Sequence, residues 1–259
     1  RKIRNTYKFL LGNISDFDVK DSISFNELPE VDRYVMIKIN NLTEEVLDAY
    51  ERFAFDEVYR KVTNFVTFFS GFYMDFTKDI LYIEKENSKS RRSVQTVFYK
   101  ALNVLIRLMT PILPHTADEA YQFLPGKTAE NAQLLDMPEP REYNNDVEAK
   151  FDAFMKVRTN VLKALEEARN AKIIGKSFQA HLILYPNAEN KALLESIENL
   201  QQILIVSKLD ILDGAGEHKF DGMSVDVKVA DGHTCARCWQ VVDDVNTDGI
   251  CSRCEEVIA

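Results

Sequence analysis

The four cysteines of this chain fall in two pairs, Cys235-Ala236-Arg237-Cys238 and Cys251-Ser252-Arg253-Cys254, with no other cysteine in the sequence. Each pair can set both sulfurs on one side of a tight turn, and two such turns complete a tetrahedron around one Zn2+ ion. Four thiolates leave no coordination position for water or substrate. The ion is therefore expected to hold structure and to perform no chemistry. Two disulfides would need an oxidising compartment, and nothing in the chain reads as a secretion signal. A redox CxxC normally opens a helix after a strand and needs no second copy. A structural zinc site at Cys235, Cys238, Cys251 and Cys254 is the expectation.

With 259 residues the chain can hold one large domain or two to three small ones. Its 46% apolar and 28% charged residues have the balance of a globular protein. No run approaches the ~20 apolar residues of a membrane span, so a cytoplasmic protein without a membrane partner is expected. The sequence opens on Arg1-Lys2-Ile3-Arg4, already helical in pattern and without Met, which reads as a piece of a longer polypeptide. A formal net charge of -9 argues against coating nucleic acid by bulk attraction. Any nucleic-acid contact must come from local basic and aromatic groups.

Residues 1 to 128 read as helices joined by short breaks. Phe65, Phe68, Phe69, Phe72, Tyr73 and Phe76 fall at i, i+3, i+4, i+7, i+8 and i+11, one broad apolar face of a single helix. Such a stripe favours core packing over a base-stacking platform. The next helix, from about Ser93 to Thr110, is apolar nearly all round and is expected at the centre, ended by Pro111 and Pro114. Thr116-Ala117-Asp118-Glu119 fits a capping box that would start another helix. Residues 129 to 145 are polar and contain Pro138 and Pro140, as expected for a linker.

Asp146 can cap a helix carrying Val147, Phe151, Phe154, Val161 and Leu165 on its apolar face. The opposite face is basic from Lys156 to Lys176, which reads by default as solvated surface and, as the alternative, as a surface that tracks phosphates. After Gly175 the pattern changes to strands at His181–Pro186, Ile203–Leu212 and Val225–Val229 around a helix at Glu189–Leu200. Residues 146 to 232 thus form a small α+β domain, followed by the cysteine module at 233 to 259. Gly175-Lys176-Ser177 is not a phosphate-binding loop. The glycine required five residues earlier is Asn170, and the segment leads from helix to strand, the reverse of that motif.

Several stretches together resemble one family. Arg1-Lys2-Ile3-Arg4-Asn5-Thr6-Tyr7-Lys8-Phe9-Leu10-Leu11-Gly12-Asn13 resembles the opening of the anticodon-binding domain of bacterial isoleucyl-tRNA synthetases, class I aminoacyl-tRNA synthetases. Phe72-Tyr73-Met74-Asp75-Phe76-Thr77-Lys78-Asp79, Ser90-Arg91-Arg92-Ser93 and Met109-Thr110-Pro111-Ile112-Leu113-Pro114-His115 follow in that family's order. The cysteine module, with Trp239 directly after Cys238, is similar to its terminal zinc element. Valyl and leucyl relatives share a similar bundle, and the zinc module favours the isoleucyl family.

The resemblance implies a mainly α fold, a helical-bundle anticodon-binding domain followed by a small α+β domain and a four-cysteine zinc module. It implies a ligase that joins isoleucine to tRNA(Ile) with ATP and Mg2+, both bound in a catalytic domain outside this sequence. The HIGH and KMSKS strings of that domain do not occur here, and the editing domain has no counterpart, so this chain is expected to be inert in aminoacylation. Its implied partners are the anticodon stem-loop of tRNA(Ile) and the catalytic and editing domains of the same polypeptide, in a monomer.

Unstacked loop bases are read by aromatic or guanidinium planes and by hydrogen bonds to their edges. Arg237, Trp239 and Arg253 lie inside or beside the metal turns. Trp239 can stack on a base with Arg237 on base or phosphate, or it can pack over the zinc turns as core. On the bundle, Lys78, Arg91 and Arg92 are candidate phosphate contacts, or plain surface charges. From Asp210 onward the chain holds eleven acidic and four basic side chains, so broad attraction cannot bring RNA to the tail. Two other classes fit the cysteines: a zinc-stabilised module that binds another protein, and a redox enzyme whose thiols would react with no metal present.

Overall fold

In the opening segment every third or fourth residue turns inward: Ile3, Tyr7 and Leu10 are buried along α1 (Lys2–Asn13), and the Tyr7 hydroxyl donates to the Leu105 carbonyl at 2.9 Å. This is a computed structural model, and it describes residues 1–258. α1 belongs to a unit that runs from Arg1 to Glu148; a second unit begins at Ala149. The first unit continues with α2 (Glu30–Glu51), α3 (Phe55–Gly71), α4 (Tyr73–Ile83), α5 (Lys89–Met109) and α6 (Pro114–Tyr121).

The aromatic stripe is core, as its spacing requires: Phe65, Phe69, Phe72, Tyr73 and Phe76 are all buried. Phe69 and Tyr73 each meet the Phe98 ring of α5 edge-on at 5.9 Å between centroids, within the range of favourable aromatic pairs. The stripe does not ride on one helix, however. Gly71, a poor helix former, precedes a break at Phe72 (φ -119°, ψ -77°), where α3 gives way to α4. The Phe72 N–H still reaches the Phe68 carbonyl at 2.9 Å, so the apolar face carries through the break.

α5 starts one turn earlier than its apolar pattern suggests, because the Ser88 side chain caps the Arg91 N–H. α6 also starts before the Thr116 capping box. Pro114 occupies its first turn, where a missing N–H costs nothing, and Thr116 lies inside the helix.

The proline-containing stretch read as a linker lies along the bundle. Arg107 donates to the Asp136 carbonyl at 2.6 Å, Asn40 accepts from the Arg141 N–H at 2.6 Å, and the Tyr143 ring stacks on Phe25 at 4.2 Å. The Asp146 carboxylate takes two hydrogen bonds from Arg33, at 2.9 and 3.2 Å.

The second unit follows from the start of α7 (Glu148–Asn170), whose Phe151, Phe154, Val161 and Leu165 are buried. Its sheet has the order β2-β1-β4-β3. Strand β1 (Ala180–Pro186) pairs in parallel with β2 (Lys208–Ile211) and antiparallel with β4 (Met223–Val229), which carries β3 (His218–Phe220) on its other edge. The connection from β1 to β2 holds α8 (Ala188–Glu195) and α9 (Leu200–Leu204). The single helix expected there is therefore two, and Ile203 is helical and not part of a strand. In β4, Val225 and Val227 face the core while Val229 is exposed where the strand runs out. Among the described residues no helix is long and apolar enough to cross a membrane.

Candidate metal centre and nucleic-acid interface

The cysteine tail hangs on a short hairpin, β5 (His233–Thr234) with β6 (Val241–Val242), followed by α10 (Ser252–Ile258). Gly232 enters the hairpin at φ +133°. A Cβ there would come within 2.3 Å of the Val242 carbonyl oxygen, so only glycine fits. Ser207 ties the hairpin to the sheet of the same unit: its Oγ accepts the Val241 N–H at 2.7 Å and its hydroxyl donates to the Phe178 carbonyl. Lys208 pairs with Asp243 at 2.6 Å and adds a second tie.

Between the hairpin and α10 the four cysteines converge. All four are buried, and their sulfurs lie within 4.8 Å of one another. Cys235 and Cys254, and likewise Cys238 and Cys251, stand 3.8 Å apart sulfur to sulfur. For bonds of about 2.3 Å, the length of a zinc thiolate, a regular tetrahedron has edges of about 3.8 Å. A disulfide needs about 2.05 Å. The donor set thus fits a four-coordinate metal ion.

The two pairs reach this geometry differently. Cys235 and Cys238 sit on a tight turn closed by Trp239 N–H to Cys235 carbonyl at 3.0 Å. Cys254 lies inside α10 with Cys251 just before it, so the second pair opens a helix, where i, i+3 spacing also puts both sulfurs on one face. The tight turn expected for both pairs holds for the first alone.

Electrostatics inside the cluster favour a cation. Burial opposes ionisation of Cys235, yet backbone N–H groups of Cys238, Cys251 and Arg237 outweigh it and bring that thiol down to about 6. Burial pushes the Cys238 and Cys254 thiols up. One thiolate is welcome, but four adjacent negative charges need a metal ion among them.

The remaining candidates fall in distinct settings. Trp239 is 59% exposed and stands in the left-handed region at φ +63°. Its ring therefore does not form the core over the metal turns. A bulky residue at positive φ is strained, and such strain collects at sites where an exposed group must be held in place. Arg237 is half-buried and bonds the Cys254 sulfur. Arg253 is half-buried on α10. Lys78 is exposed on α4 and pairs with Asp75 at 2.8 Å.

Arg91 and Arg92 are turned against the bundle and held there by protein acceptors. Arg91 grips the Asp16 carboxylate through two nitrogens, one at 3.0 Å, and also reaches the carbonyls of Leu81 and Glu86. Arg92 is 9% exposed and bonds the Asp16 carbonyl, Gln95 and Asn87. Together they clamp the loop after α1 to α5, and the Arg91 guanidinium holds the Asp16 carboxyl down at about 2. Two further groups were not among the site residues expected from the sequence. Asp32 accepts the Tyr73 hydroxyl at 2.8 Å inside the bundle, and burial raises its carboxyl to about 7. Lys176, on the surface of the second unit, rises over the Trp239 ring, 5.2 Å from its centroid.

A family model described as the anticodon-binding domain of tRNA ligase matches residues 32–184. The whole chain is 49% identical over 273 residues to an isoleucine–tRNA ligase of Bacillus cytotoxicus, and as similar over 274 residues to one of Bacillus anthracis strain A0248. All of this chain is covered in each case, and 30% of each relative. With its matched segment spanning more than half of the sequence, the chain belongs to the family of anticodon-binding domains of tRNA ligases.

Proposed function

We propose that this chain is the tRNA-recognition part of a cytoplasmic isoleucine–tRNA ligase, and that its parent joins isoleucine to tRNA(Ile) with ATP. The ion among Cys235, Cys238, Cys251 and Cys254 is Zn2+, which d10 thiolate chemistry suits and which supplies rigidity with no reactive position. The observation that carries this reading is the 49% identity along the entire chain to isoleucine–tRNA ligases. It is supported by the geometry of the tail: a four-sulfur cluster fixes an exposed, strained Trp239 at the surface.

The ligand is the anticodon stem-loop, whose unstacked bases offer the π-faces and edges such a surface reads. Trp239 stacks on one loop base. Arg253 and Lys78 are further contacts, and Arg237 reaches RNA only by turning from the Cys254 sulfur. Arg91 and Arg92 have no part in it, being held by Asp16.

The test is binding of tRNA(Ile) against the same tRNA with its anticodon changed, measured on this chain as a monomer. A loss of tenfold or more with the changed anticodon is expected. Equal affinity for both would remove anticodon reading. For Trp239→Ala, loss of one stacked base predicts about 1–3 kcal/mol, roughly 5- to 150-fold, at unchanged metal content.

A further inference from the structure

We infer that the turn after α7 is the second half of the RNA surface, and that Lys176 bonds the phosphate beside the base stacked on Trp239; this rests on the RNA-recognition reading above. Four observations converge on it. The Lys176 ammonium sits 5.2 Å from the centroid of the Trp239 ring, so the two side chains already share one patch. Among the described residues Lys176 has no carboxylate partner, whereas Lys208, Lys191 and Arg169 of the same unit are paired with Asp243, Asp213 and Glu166.

The base of that side chain is fixed. Gln179 Oε1 accepts from the Gly175 and Lys176 N–H groups at 2.7 and 3.2 Å, and Lys172 ahead of them is held at φ +58°. Finally, Lys176 and Trp239 are both exposed, so a ligand can reach cation and indole together.

The charge balance gives the lysine its purpose. From Asp210 onward the tail is strongly acidic, with eleven acids against four bases, and repels a phosphodiester chain. The aromatic plane lies in that tail, but the ammonium over it comes from another part of the unit. A lysine against an indole is the pairing single-stranded RNA asks of a surface: a π-face for the base and a point charge for the adjoining phosphate. A cation–π contact with an exposed ring is a weak attraction. That is weak enough for the ammonium to move onto a phosphate while the indole takes the base.

Trp239 is the only tryptophan in the chain, so its emission reports this patch alone. Titration of the full chain with tRNA(Ile) at several salt concentrations is expected to quench that emission. For Lys176→Met, with metal content and circular dichroism unchanged, affinity should fall about fivefold or more. The slope of log affinity against log salt should fall by about 0.7 to 1, the share of one phosphate contact, and Lys176→Arg should restore both. Wild-type affinity and slope in Lys176→Met, while Trp239→Ala still loses binding, would overturn the lysine contact and leave RNA recognition standing. If Trp239→Ala also binds as the wild type does, or the unaltered chain does not bind, the reading beneath it falls as well.

Discussion

Fourteen of the 21 residues of α5 are buried, whereas α10 buries Cys254 alone among its seven. The bundle surrounds α5 with rings and aliphatic chains, so removal of apolar surface from water orders it. The cysteine tail has little to bury beyond the sulfurs themselves and a few side chains such as Val241 and Ile250. A segment this short does not stabilise itself by burial, and a metal ion held by the four cysteines would replace the absent core. The same contrast suits their tasks. A large packed bundle tolerates a change at its surface, while a small metal-locked turn can hold one strained aromatic ring without a core behind it.

The two regions should separate most sharply on metal removal. Chelation, or Cys235→Ser, should abolish metal binding, a free energy on the order of 10 kcal/mol for a structural zinc site. Hydrogen exchange is then expected to accelerate across β5, β6 and α10 and to leave α1 to α6 protected. The converse change is Phe98→Ala, which opens a cavity against Phe69 and Tyr73. It should lower bundle stability in denaturant by about 3–5 kcal/mol and leave metal content unchanged.

Smaller effects sharpen the picture of the bundle. Asp16→Asn should cost about 1–3 kcal/mol by leaving Arg91 and Arg92 without their carboxylate. Because the folded Asp16 carboxyl titrates at about 2, below its ordinary value, its stabilisation is present above about pH 4 and is lost as pH falls towards 2. Acid unfolding of Asp16→Asn should therefore show less pH dependence in that window. Asp32 has the opposite sign. Burial raises its carboxyl to about 7, so its contribution is full below about pH 4 and lost as pH rises through 7. Asp32→Asn is expected to flatten stability between about pH 4 and 7 in equilibrium unfolding.

Periodicity made the bundle legible. Phe65 to Phe76 announces a buried face whatever the helix boundaries, and only the break at Phe72 escapes, since an i, i+4 pattern continues across it. The cysteines were legible for a different reason, because the spacing of ligands is itself the chemistry. The pairing of β1 with β2 and β4 was not legible, since it joins residues dozens of positions apart. Arg91 and Arg92 look like surface charges until Asp16, 75 and 76 residues earlier, is brought against them. Thr116 fits a capping box, yet Pro114 takes the helix start because its fixed φ suits a first turn. Lys176 was read as the end of a basic helix face and for its place in a rejected phosphate loop. What gives it meaning is Trp239, 63 positions on and close only in the folded unit.

On the proposed function, a metal-locked turn presents Trp239 to RNA. That presentation is tested most directly by titrating this chain with tRNA(Ile) through tryptophan emission, before and after the metal is chelated, with bundle folding followed by circular dichroism. Binding and quenching should vanish on chelation while the helical signal of the bundle persists, and both should return when Zn2+ is restored. Undiminished binding by the metal-free chain would contradict the claim.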